Sequence, residues 1–74
     1  MTTRHHWERQ HANHVLSTVF PSRYKPGKYI VRATARRIVF GNDEIRGLGK
    51  AQRWADDLSG CPQPCHCPPW RELH

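Results

Sequence analysis

Lys28-Tyr29-Ile30-Val31-Arg32-Ala33-Thr34-Ala35-Arg36-Arg37-Ile38-Val39-Phe40 is the stretch on which the fold turns. From Lys28 to Thr34 the side chains alternate, with Tyr29, Val31 and Ala33 on one side and Lys28, Ile30 and Arg32 on the other. A half-buried strand requires that period of two. Arg37 to Phe40 is rich in β-formers and reads as a second strand. Thr34 to Arg36 is short enough to close a hairpin but lacks the usual Gly or Asn, so the turn type stays open.

Working outward, the hairpin sits in the basic part of the chain. Between Pro21 and Gly41 lie Arg23, Lys25, Lys28, Arg32, Arg36 and Arg37 with no acid, and the net charge of the 74 residues is +6. A polarised basic stripe is the electrostatic footprint of a polyanion binder. A solvated edge strand guarded by cations is the bland alternative, but it does not account for the missing acids. Tyr24 and Tyr29 add aromatic surface, and on a two-stranded ribbon Lys28, Arg32 and Arg37 can share a face that fits a major groove or lies along phosphates. The predicted contact set is Arg23, Lys25, Lys28, Tyr29, Arg32, Arg36 and Arg37.

N-terminal to the hairpin, a helix is expected from about Arg4 to Thr18, capped by Thr2 or Thr3 and closed by Pro21. Ala12, Val15, Leu16 and Val19 cluster on one side of a helical wheel, with Trp7, His11 and His14 as an adjoining stripe. Pro21 to Gly27 reads as a linker. C-terminal to the hairpin, Gly41, Asn42 and Asp43 read as a turn, and Glu44 to Leu48 as a short third strand or the start of a second helix. Ala51, Trp54, Ala55 and Leu58 recur at i, i+3, i+4 and i+7, an amphipathic helix starting near Gly49 and stopped by Ser59 and Gly60. The expected domain is α+β and spans residues 1–60: two or three antiparallel strands packed with an N-terminal and a C-terminal helix. Its expected core is Val31, Ile38, Phe40, Leu48, Trp54 and Leu58.

Residues 61–74 hold Pro62, Pro64, Pro68 and Pro69 and read as an irregular tail that docks by Trp70 or hangs free. The tail also carries all three cysteines, in a Cys61, Cys65, His66, Cys67 cluster. An odd number of thiols in one short segment cannot form a disulfide framework and fits a reducing cytoplasm. The cluster is a candidate zinc site of Cys61, Cys65 and Cys67, with the fourth ligand drawn from His66, His74 or the helix pair His11 and His14; His14 is the one adopted. A metal held this way would staple the tail to the first helix. Its spacing is not that of a standard zinc finger, and surface thiols are the bland alternative.

Hydrophobic residues make up 36% of the chain and mean hydropathy is −0.84. No apolar run approaches the length of a membrane span, and no leader pattern is present. A cytoplasmic protein without a membrane partner is expected. No catalytic triad, phosphate-binding Gly-rich loop or separated carboxylate pair can be picked out, so a binding protein is expected rather than an enzyme.

Tyr29 to Leu58, with its helix reading Ala51, Gln52, Arg53, Trp54 and Ala55, resembles small uncharacterised proteins of bacteriophages that infect high-G+C actinobacteria. That resemblance implies a regulator or inhibitor acting in the host cytoplasm by binding a host protein, through an acidic surface complementary to the hairpin. The residues themselves favour a nucleic-acid partner, and a zinc-stapled structural or interaction module is a third reading.

Overall fold

The computed structural model describes residues 5–61 and 67–73. Four strands run in sequence, β1 (His6–Gln10), β2 (Leu16–Pro21), β3 (Lys28–Ala35) and β4 (Ile38–Arg46). One helix follows, α1 (Leu48–Ser59), and then a last short strand, β5 (Arg71–Leu73). All pair antiparallel in one five-stranded sheet of order β4-β3-β2-β1-β5. The first four form a meander, and β5 returns to cover the outer edge of β1.

This corrects the α+β arrangement expected from sequence. Among the described residues no N-terminal helix forms; of the stretch read as helical, residues 6–18 supply β1, a turn and half of β2. The reason is visible in the pairing: Ser17 and Val19 are buried on one face of β2 and Thr18 on the other, an alternation that a helical wheel scatters. Ser17 hides the pattern because it is polar. It tolerates burial by donating its hydroxyl hydrogen to the Ala55 carbonyl, 3.0 Å away. The turn from His11 to Val15 holds His14 at φ 68, a conformation no helix interior accepts.

The hairpin is present but longer than read. Ala35 pairs with Ile38, so Arg36 and Arg37 are the two turn residues, at φ 49 and 69. Two successive positive φ values define the mirror-image turn that matches the twist of antiparallel strands. Gly41 is not a turn. It is the extra residue of a bulge between the Ala33–Phe40 and Arg32–Asn42 pairs, at φ 76, and β4 continues past it to Arg46. The positive φ favours glycine there, and an added Cβ would sit 2.7 Å from Leu58 Cδ1, so the Leu58 side chain would have to shift.

α1 lies over β2, β3 and β4 and is ended by Gly60 in the left-handed conformation. The core is Val19, Val31, Ala51 and Ala55, ringed by Trp7, Tyr29, Ile45, Leu48, Leu58 and Trp70. Small Ala51 and Ala55 let the helix approach the sheet closely. Three members of the expected core are corrected: Ile38 is 66% exposed, Phe40 36% and Trp54 45%. Ile38 and Phe40 belong to an edge strand, and Trp54 stands at the helix margin, donating its indole N–H to Asp43 Oδ2 at 2.8 Å.

With α1 on one side, alternation sorts the strands. Trp7, Ser17, Val19, Tyr29 and Val31 face the helix, while His6, Thr18, Phe20, Lys28, Ile30 and Arg32 face the other way. No element covers that second face among the described residues.

Candidate metal cluster and open sheet face

His11 follows β1 directly and is 2% exposed. Its backbone N–H donates to Val15 O at 2.8 Å and its carbonyl accepts from His14 N at 3.1 Å. Asn13 ties this turn to the end of α1 by donating from Nδ2 to Ser59 O at 2.7 Å. The imidazole Nε2 lies 2.9 Å from Ser17 Oγ and 3.6 Å from Asp56 Oδ1. Burial lowers the His11 pKa below the ordinary histidine value. The Asp56 carboxylate opposes this and the Arg9 charge adds to it. Burial thus favours the neutral ring, the form that binds metals.

Cys61 stands just past the α1 cap, and its N–H donates to Ser59 Oγ at 3.1 Å. Cys67 is brought back over the turn, where its Sγ accepts the Ala12 N–H at 3.3 Å. The two sulfurs lie 3.5 Å apart, without a disulfide. One ring nitrogen of His11 and the two sulfurs all fall within 4.8 Å of one another, a group that could hold a metal ion.

Arg9 braces the cluster. It donates from Nη1 to Asp56 Oδ2 at 3.1 Å, from Nε to Pro68 O at 2.9 Å and from Nη2 to Cys67 O at 3.2 Å. One guanidinium thus joins β1, α1 and the C-terminal arm. The other oxygen of Asp56, Oδ1, is buried without a hydrogen-bond partner, a costly state for a carboxylate.

Cys61 and Cys67, singled out from sequence, are brought together. Cys65 lies outside the described residues. His14 is exposed in the turn, and the histidine that joins the thiols is His11, three residues earlier. The expectation of a helix, which placed His11 and His14 on one stripe, concealed that difference.

The basic residues divide into groups. Lys28 and Arg32 stand on the uncovered face, Arg36 and Arg37 form the hairpin turn, and Arg23 is exposed in the β2–β3 loop. Lys25 Nζ and Lys28 Nζ converge on Glu44 Oε1 at 3.3 and 3.4 Å. Tyr29 is on the opposite side of the sheet, its ring edge-on to Trp7 at 5.8 Å, where it serves the core. On the uncovered face two residues not singled out from sequence meet: Phe20 and His6 stack at 5.3 Å, and the Arg32 guanidinium lies over the Phe20 ring at 5.5 Å. Only the β2 register reveals this, because it sends Phe20 away from Val19.

No protein-family model, curated protein or solved structure matches the chain. Among the described residues no helix is long and apolar enough to cross a membrane.

Proposed function

We propose that the chain is a non-enzymatic binding module that holds single-stranded nucleic acid on the uncovered face of its sheet. The observation that carries this reading is the row Arg32, Phe20 and His6 across β3, β2 and β1, with Lys28 beside it. Single strands are bound by aromatic and guanidinium planes on which bases stack, within a cationic surface that tracks phosphates. A duplex fits less well. β3 is flanked by β2 and β4, so the basic hairpin is no free two-stranded ribbon, and a body of 32 × 26 × 21 Å exceeds a groove about 12 Å wide.

The test is titration of labelled single-stranded and duplex oligonucleotides at several salt concentrations. Single strands should bind more tightly, with affinity falling as salt rises. Phe20→Ala should weaken binding about tenfold or more, in keeping with ~1–3 kcal/mol per stacked base. Equal affinity for duplex, or a neutral Phe20→Ala, overturns the reading and leaves a protein partner.

The metal cluster is read as a zinc site. Two thiolates and an imidazole are the donors zinc prefers, and its place between strand, helix and arm suits a structural ion.

A further inference from the structure

The hydrogen bonds around His11 determine which of its nitrogens is a ligand. A serine hydroxyl has one hydrogen, and Ser17 Oγ lies 3.0 Å from the Ala55 carbonyl oxygen, which can only accept. Toward His11, Ser17 must therefore accept, and the hydrogen of the 2.9 Å contact belongs to Nε2. An imidazole that binds a metal does so through the nitrogen without a hydrogen, and with the N–H on Nε2 that nitrogen is Nδ1.

Three further observations point to an ion there. The Ala12 N–H donated to Cys67 Sγ favours a thiolate over a thiol. Asp56 Oδ1, buried without a hydrogen-bond partner, lies 3.6 Å from Nε2. A carboxylate beside a ligating imidazole is a recurrent neighbour at metal sites, where the cation offsets its charge. The donors also join two stretches far apart in the chain: His11 just after β1, and Cys61 and Cys67, six residues apart between the end of α1 and the arm that leads to β5.

β5 is held by a short ladder and a direct side-chain contact, His5 Nε2 to Glu72 Oε1 at 2.6 Å. It is three residues long and pairs only with β1, as His6–Leu73, Trp7–Glu72 and Glu8–Arg71. Isolated ladder bonds contribute only about 1 kcal/mol each. Arg9 and Trp70 add to the attachment, and among the described residues the cluster is the point where the arm meets the ends of β1 and α1 by donor atoms of metal-binding type.

We infer that His11 ligates zinc through Nδ1 together with Cys61 and Cys67, and that the ion is the clasp that keeps β5 on the edge of β1. This rests on the zinc reading of the cluster. Losing the ion would free the β1 edge, so metal occupancy would govern whether that edge is open to another strand.

Metal content and NMR of the full chain, zinc-loaded and chelated, test this. Long-range nitrogen correlation should show the Nε2–H form of His11 in both states, with Nδ1 shifting on zinc addition. Amide exchange at Arg71 to Leu73 should quicken about tenfold or more on chelation, as local opening becomes easier, while the β2–β3 ladder is unchanged. Ser17→Ala should weaken zinc binding about 10- to 100-fold, as loss of an orienting partner does. Failure to hold zinc stoichiometrically sinks the zinc reading itself. Stoichiometric zinc with Nε2 metallated, or with β5 exchange unaltered, keeps that reading and overturns the clasp.

Discussion

Glu44 decides how much of the basic stripe is available. Partial burial pushes its pKa up, but hydrogen bonding and charge from Lys25, then from Lys28, outweigh this and hold it below the usual 4.5. Because the folded value is depressed, the stabilisation is present above about 4.5 and is lost as pH falls through the lowered value. At neutral pH Lys25 and Lys28 are thus engaged with Glu44 within the molecule. Glu44→Gln should release both, raising single-strand affinity several-fold. The slope of log affinity against log salt should steepen by up to about 1.4, from ~0.7 per added phosphate contact. An unchanged slope in the same titration would show that Lys25 and Lys28 do not reach the ligand.

At the scale of elements, the β3–β4 hairpin carries a conformational cost at its tip. Arg36 and Arg37 both adopt positive φ, where L side chains cost roughly 1–2 kcal/mol each, although Asn and Gly would fit the turn without that cost. A sequence that keeps two arginines there gives up stability for charge at an exposed tip. The double substitution Arg36→Asn, Arg37→Gly should raise stability by about 1–2 kcal/mol in urea unfolding and weaken nucleic-acid binding in the same preparation. Stability and affinity moving together would mean that the tip has no part in binding. α1 follows the pattern read from its period, starting at Leu48, one residue before the predicted Gly49.

The whole molecule depends on a small core. At 74 residues the stability margin is narrow, about 5 kcal/mol or so, and the buried centre is made of Val and Ala side chains. Val31→Ala should cost about 2–3 kcal/mol, a large share of that margin. Trp54→Ala should cost only about 1 kcal/mol, the worth of its exposed bond to Asp43 and some packing. Thermal melts of the two variants test the ranking, and a larger loss from Trp54→Ala would place that indole in the core after all. Phe20, His6 and Arg32 of the uncovered face are not part of this centre.

By itself the sequence determined the features whose signals are local. The Lys28–Thr34 alternation, the i, i+3, i+4, i+7 face of α1, the stop at Gly60, the concentration of cations and the grouping of cysteines all hold within a few residues of chain. Pairing decided the rest. Residues 5–20 contain enough apolar positions to satisfy a helical wheel or a strand. Their state goes with β3, beside which Val19 meets Val31 across the ladder and both enter the core. That choice of strand over helix put His11 rather than His14 beside Cys61 and Cys67. It turned Phe20 toward Arg32, sent Tyr29 into the core and left Ile38, Phe40 and Trp54 at the margin. A period of two and a period of 3.6 can share the same few apolar residues, and only a partner strand distinguishes them.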